Sequence, residues 1–363
     1  MITYSDILFK LIRLTLGTEK ELSFPSEVPW GIIYDMSCSQ SVKSVAFDGL
    51  KQIYEKNPVL GKELDAHGLK AHKYNWYGNS LADETDYEKH SNILESICVA
   101  CQKEGIELLL LKGLACGLNY PVPSHRTCGD IDIFPIGGER NWKKVNDLLL
   151  SMSPKVKRTT DKHTQARIDG VLIENHLHLY DDSSYRADAK AEALLFPESI
   201  DNLLFQGPYY IFPPSENWFY LIGHMSQHFC ANGEMSVRQF LDLALLLDRH
   251  RDEIDTHKVR VWLEQTGFMQ MNDLLVSISS DITGFELSKF IFSQPSKDDK
   301  SKVMEELFNR DRKLDFPDSL YTRIVYKLRK MNSGRWKYSY VPRTFTERVT
   351  SSIKLHMHQP DKI

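Results

Sequence analysis

What this chain lacks narrows it first. No apolar run approaches the ~18–20 residues that a membrane-spanning helix needs, so no membrane partner is expected. A basic excess is missing: 45 Lys and Arg stand against 49 Asp and Glu, a net charge of −4. That balance excludes nucleic-acid binding by bulk charge, though a local basic patch stays open. Cysteine is sparse, six residues with no framework spacing, so a disulfide-stapled secreted domain is excluded and a reducing cytoplasm fits. The first residues, Met1-Ile2-Thr3-Tyr4-Ser5-Asp6, have neither the basic start nor the small-residue cleavage site of a secretory signal. There is no internal repeat, no low-complexity tract and no Walker-type glycine loop. What is present, 42% hydrophobic residues over 363 positions, suffices for a sizeable core and two or three sub-domains.

Residues 1–104 read as helical. Ile7, Leu8, Leu11, Ile12 and Leu16 recur at helical spacing before Gly17; Val42, Val45, Ala46, Leu50 and Ile53 form a second stripe. A third, Ile93, Leu94, Ile97, Cys98 and Cys101, ends at Gly105. The Cys98-x-x-Cys101 pair falls on its apolar positions, which favours a core role over redox or metal chemistry. Residues 57–86 show no clear period. The pattern then changes over 105–212. Residues 106–111 are a buried strand feeding a loop, 131–134 a second strand, and 140–150 a helix. Asp169-Gly170 predicts a two-residue turn joining 163–168 to 171–179 as a hairpin. Helical spacing returns over 213–290, opened by Pro213-Pro214-Ser215, and 291–363 reads as an extension with a polar, poorly packed last thirty residues.

Chemistry concentrates in one stretch. On a strand, residues i and i+2 face the same way, so Asp130 and Asp132 aim two carboxylates together. Side by side they repel unless a cation lies between them. Magnesium takes hard oxygen ligands, often only one or two carboxylates, and leaves places for phosphate oxygens. An Asp-x-Asp alone also occurs on any solvated strand edge. The neighbours add to it. Lys112-Gly113 lies between a strand and a predicted short helix, 114–118; glycine permits close backbone approach, and the helix N-terminus and the lysine both favour an anion. Arg126 either clamps a phosphate or pairs with a carboxylate. Gly129 permits a tight turn into the second strand. Further on, Glu174, His176 and His178 share one strand face, and His224 and His228 share a helix face, at a spacing that suits zinc but more often packing. Arg238 and Asp242, also i and i+4, are either a plain helical ion pair or cleft residues.

The string Leu110-Leu111-Lys112-Gly113 … Tyr120 … Arg126-Thr127-Cys128-Gly129-Asp130-Ile131-Asp132-Ile133 resembles the uncharacterised nucleotidyltransferases of the polymerase-beta-like superfamily. In that group Lys-Gly stands where most of the superfamily has Gly-Ser or Gly-Gly, and Arg-x-x-Gly-Asp-x-Asp follows. Glu174-Asn175-His176 matches the family's later acid two before a histidine. His224, His228, Arg238 and Asp242 match its helical positions. The resemblance covers roughly residues 30–280.

It implies an α+β fold, with a short mixed sheet flanked by N-terminal and C-terminal helices. It implies transfer of a nucleoside monophosphate from an NTP to an acceptor hydroxyl. Asp130 and Asp132 would hold two Mg2+ ions (or Mn2+), and Glu174 would complete the metal site or take the acceptor's proton. Lys112, Gly113, Arg126 and Gly129 would hold the nucleotide, with His176, His224, His228, Arg238 and Asp242 behind them or at the acceptor. The acceptor is open among a small molecule, a sugar, a protein and RNA. Rival readings keep the same residues: a nucleotide-binding regulator without turnover, or a phosphohydrolase.

Overall fold

The computed structural model describes residues 3–153, 156–158, 163–180, 186–196, 199–230, 235–308 and 335–340. Five helices come first: α1 (Tyr4–Leu16), α2 (Trp30–Ser39), α3 (Lys43–Lys56), α4 (Pro58–Leu64) and α5 (Lys70–Lys103). Thr3 and Asp6 form a reciprocal capping box at the start of α1, and Gly17 ends it in the left-handed conformation. The stretch without a clear period, 57–86, is helical throughout apart from a kink at His67–Gly68. Its apolar rhythm is blurred because polar Ser80 and Asp83 sit on the buried side of α5 beside Trp76, while Tyr74 and Tyr77 face solvent.

The middle of the chain builds the sheet. In order come β1 (Leu108–Leu110), α6 (Leu114–Gly117), β2 (Asp130–Pro135), α7 (Glu139–Met152), β3 (Val156–Arg158), β4 (His163–Ile168), β5 (Val171–His176), α8 (Arg186–Leu195), β6 (Leu204–Phe205) and β7 (Tyr210–Ile211). The sheet is mixed, in the order β3-β4-β5-β2-β1-β7-β6. The central pair β2 and β5 is parallel; β1 lies antiparallel to β2, and β4 antiparallel to β5. The hairpin turn falls at Asp169-Gly170, both with positive φ, which suits this Asp-Gly pair. The strands β3, β6 and β7 were not expected; at two or three residues each they are too short to show alternation.

Strand alternation splits the apolar side chains between two cores. Leu108, Leu110, Ile131, Ile133, Val171 and Ile173 face one side, where Ile97, Cys98 and Cys101 of α5 and Val145 and Leu149 of α7 cover them. The two cysteines are thus core residues, and burial pushes both thiols up to about 12. Leu109, Leu111 and Phe134 face the other side, joining the larger core of α1–α3 and the late helices. These are α9 (Pro214–Cys230), α10 (Val237–Arg249), α11 (Thr256–Thr266), α12 (Met269–Thr283) and α13 (Lys297–Phe308). α1 packs against α12, and Arg13 Nε donates to the Ile282 carbonyl at 3.1 Å. The expected α+β class, a nucleotidyltransferase-like sheet with helical flanks, is what the structure shows.

Within the extension, α13 buries Val303 and Leu307, and Trp336 and Tyr340 pack against Phe229. Most of the last thirty residues, read as poorly packed, lie outside the described residues. Among the described residues no helix is long and apolar enough to cross a membrane.

Candidate active site

Asp130, Asp132 and Phe134 occupy one face of β2, so the acids lie on the side that turns toward α9 and α10. Parallel pairing sets Asp132 directly beside Glu174 of β5. Two residues on, His176 follows on the same face. Its Nε2 lies 2.9 Å from Asp132 Oδ1 and 3.6 Å from Glu174 Oε2. One ligand atom from each of Asp132, Glu174 and His176 lies within 4.8 Å of the others. Asp130, at the rim of this group, is partly exposed. On the opposite face of β5, Asn175 is buried and bonds Asn146 and the Trp142 carbonyl of α7. The predicted alternation holds as far as His176, where β5 ends; His178, expected on the same strand face, lies beyond the strand with its Nδ1 2.8 Å from Glu192 Oε1 of α8.

Charge separates the three acids. The negative charge of Asp132, then burial, pushes Asp130 above the usual carboxylate range. Burial works against ionised Asp132, but Lys112 and His176 outweigh it and hold the carboxyl well below that range. Glu174 is also lowered: burial opposes the charge, and the hydrogen bond from His176 prevails. Asp132 Oδ2 and His176 Nδ1 are buried and without a hydrogen-bond partner.

Lys112 and Gly113 leave the end of β1 alongside β2, where Leu111 N–H donates to the Asp132 carbonyl at 3.1 Å. Lys112 Nζ reaches Asp132 Oδ1 at 3.1 Å. Gly113 has φ +63° and ψ −115°, and a Cβ there would meet Cys128 Sγ at 3.1 Å and the Asp130 carbonyl at 3.2 Å. Only glycine suits that backbone and that gap. Gly129 is different: its φ is ordinary and a Cβ would meet open space, so no tight turn requires glycine there. The predicted helix after Gly113 is a single turn, α6. Its dipole is correspondingly weak, so the helix N-terminus offers little to an anion.

The loop that delivers Asp130 is held from both sides by three consecutive residues. His125 bridges Asp48 of α3 (2.5 Å) and Glu84 of α5 (2.9 Å). Thr127 Oγ1 donates to Asp83 of α5, which also takes Ser44 and Lys43. Arg126 points the other way and makes a two-pronged pair with Asp242 of α10. Of the two partners open to Arg126, the structure shows the carboxylate, and the side chain also lines the cleft under α10. Arg238 and Asp242 are not partners of each other. Arg238 Nη1 donates to the Thr127 carbonyl at 2.8 Å, while Asp242 takes Arg126 and the Tyr120 hydroxyl. The helical spacing places them side by side, but their side chains turn to different elements.

α9 and α10 close a cleft that reaches Asp130. Its volume is about 190 Å³, and Lys112, Asp130, His224, His228, Arg238 and Gln239 are among the residues lining it. His224 and His228 place their Nε2 atoms 3.1 Å apart, and His224 stacks on Tyr220. Arg238 Nε is buried with no partner. Two residues beside Glu174 were missed: Gln165 Nε2 donates to its Oε1 at 2.7 Å, and His163 Nε2 lies 3.4 Å from the same oxygen. Counting outward from the Asp169-Gly170 turn would have found both, since it sets His163 opposite His176 and Gln165 opposite Glu174.

A mixed sheet that carries clustered acids on its central parallel strands, beside a Lys-Gly loop and under a helical wall, defines a nucleotidyltransferase-type fold. The chain matches the profile of the uncharacterised nucleotidyltransferase family over residues 26–283, more than half its length, and belongs to that family. No curated protein and no solved structure shows significant similarity to it.

Proposed function

We propose that this protein moves a nucleoside monophosphate from an NTP to an acceptor hydroxyl, with release of pyrophosphate. One observation carries this reading: parallel pairing of β2 and β5 assembles Asp132, Glu174 and His176 on one face, opening through Asp130 onto a cleft lined by Lys112 and Arg238. Membership of a nucleotidyltransferase family supports transfer in general.

The residues fit a divalent cation. Asp132 Oδ2 is a buried carboxylate oxygen with no partner, an arrangement that costs stability unless a cation or donor satisfies it. Asp132, Glu174 and His176 would hold the ion, with Asp130 at the rim. The family resemblance implies Mg2+, and a histidine among the donors also suits Mn2+. When bound, such an ion neutralises and orients phosphate oxygens and stabilises the attacking and leaving oxygens. Glu174, with its carboxyl held below the usual range, is a better ligand than proton acceptor. Gln165 and His163 both stand at its Oε1. Lys112 and Arg238 meet the triphosphate, and Arg126, which lines the same cleft while paired with Asp242, positions the loop. The acceptor enters beside His224 and His228. A small molecule or sugar suits the narrow cleft better than a protein or RNA.

The test is to incubate purified protein with each NTP and Mg2+ or Mn2+, with candidate acceptors, and to follow pyrophosphate. Asp130→Ala/Asp132→Ala should abolish release, a loss on the order of 10³-fold or more. Inorganic phosphate in place of pyrophosphate would mean a phosphohydrolase. A nucleotide that binds and is never consumed would mean a regulator without turnover.

A further inference from the structure

We propose that the Lys112 ammonium is a built-in cation on the nucleotide side of Asp132, so that the chain takes up one divalent ion with each NTP rather than two. This rests on the nucleotidyl-transfer reading above. It revises the number of ions that the family resemblance implies.

The two flanks of Asp132 differ. On one, Glu174 and His176 complete a donor set, each contributing an atom within 4.8 Å of the others. On the other side of β2 runs β1, which delivers Lys112; Asp130 stands two residues before Asp132 on β2 itself and is not part of that set. From the β1 side Lys112 Nζ comes within 3.1 Å of Asp132 Oδ1, the oxygen that His176 Nε2 meets at 2.9 Å from the β5 side, which leaves Oδ2 unpartnered; the ammonium is in the field of Asp130 and Glu174 as well. A dication bridging Asp130 and Asp132 would have to sit against this ammonium, and like charges at contact exclude each other.

The lysine is not a surface side chain that happens to reach inward. Its backbone is fixed between the Leu111–Asp132 hydrogen bond and Gly113, which packs against Cys128 and the Asp130 carbonyl. An ammonium carries three donors in a compact point charge. It can hold a carboxylate and phosphate oxygens together, which is the neutralising and orienting work of a nucleotide-side ion. Arg238 adds to it. It lines the same cleft, acts electrostatically on Asp130 together with Lys112, and keeps a buried Nε without a partner. The triphosphate therefore meets Lys112 and Arg238, with Arg126, paired to Asp242, in the same lining.

The experiment counts ions, not turnover. The full chain is saturated with the α,β-methylene analogue of each NTP, and bound Mn2+ is titrated by electron paramagnetic resonance, with nucleotide binding followed in parallel. Wild type should bind one Mn2+ per nucleotide, and Lys112→Ser and Lys112→Gln should each bind two; Lys112→Arg should stay at one. Two ions in the wild-type complex overturn the proposal even if both substituted chains fail to fold. One ion in wild type and still one in a folded Lys112→Ser or Lys112→Gln chain also overturns it, since the lysine then excludes nothing. If no analogue binds the wild-type chain, the nucleotidyl-transfer reading itself falls, a result distinct from a wrong ion count.

Discussion

Arg126 and Asp242, 116 residues apart in the chain, meet as a buried two-pronged ion pair, Nε to Oδ1 at 2.8 Å and Nη2 to Oδ2 at 2.7 Å. The pair ties the loop that delivers Asp130 to the helix that roofs the cleft. Removing one partner leaves a buried charge uncompensated, which typically costs about 3–5 kcal/mol. Asp242→Ala should lose stability of that order in urea denaturation, partly because the Tyr120 hydroxyl loses its acceptor too. Arg126→Met/Asp242→Leu should recover most of it, because no charge then stays buried. A cost within about 1 kcal/mol for Asp242→Ala would show that the pair holds nothing together.

His125 predicts a pH dependence. Burial opposes its charged form, but the hydrogen bonds to Asp48 and Glu84 prevail and raise the imidazole above its ordinary 6.5. A group whose folded-state value is raised contributes stability that is complete below its unfolded value and is lost as pH rises through the folded one. Unfolding free energy should therefore decline as pH rises above about 6.5, and His125→Gln should flatten that limb while lowering stability at the acid end. Parallel curves for the two proteins would assign the slope to other groups.

Local signals in the sequence were reliable and long-range ones were silent. Asp169-Gly170 is a turn, Lys112-Gly113 follows a strand, and Glu174 shares a face with His176, because each depends on a few adjacent residues. The first half of the helix across 70–103 showed no clear period because its inner face carries Asp83, a residue that Lys43, Ser44 and Thr127 come to meet. Arg126 had two chemically sound partners, and the choice lay with Asp242 on a distant helix. The packing of α1 on α12 likewise depends on a contact no local period can show. The acids were legible by type and spacing. The closeness of Lys112 to them was not, since it depends on how β1 registers against β2.

Asp130 should be worth more to the reaction than to the fold. The charge of Asp132, then burial, raises its carboxyl, so its ionised form opposes folding at neutral pH; its favourable contribution is present below the unfolded value and lost as pH rises. Asp130→Asn should raise stability at pH 7 in the presence of a chelator, by about 0.5–2 kcal/mol. The same change should abolish pyrophosphate release. Thermal melts with and without Mn2+ check the first half: added metal should stabilise wild type more than the variant, because the Asp130 carboxylate adds negative charge beside an ion held by Asp132, Glu174 and His176. A variant that melts lower than wild type in chelator would show that Asp130 is held by partners rather than strained by Asp132.

Gly113 is where backbone and chemistry constrain the same residue. Its φ of +63° with ψ −115° lies outside the regions open to side-chain-bearing residues, and the added methyl would press on Cys128 Sγ and on the Asp130 carbonyl. The first cost is on the order of 1–3 kcal/mol. The second acts on the site, since relief requires the Lys112 loop to move away from β2. Gly113→Ala should then be both less stable and deficient in nucleotide affinity. Gly129→Ala, whose Cβ meets open space, should keep stability near wild type. Comparing the two alanines by urea denaturation and by binding of an α,β-methylene NTP separates backbone strain from mere loss of a glycine. Equal behaviour of the two would show that the Lys112 loop can relax without disturbing the acids, and that its close packing does not position the lysine.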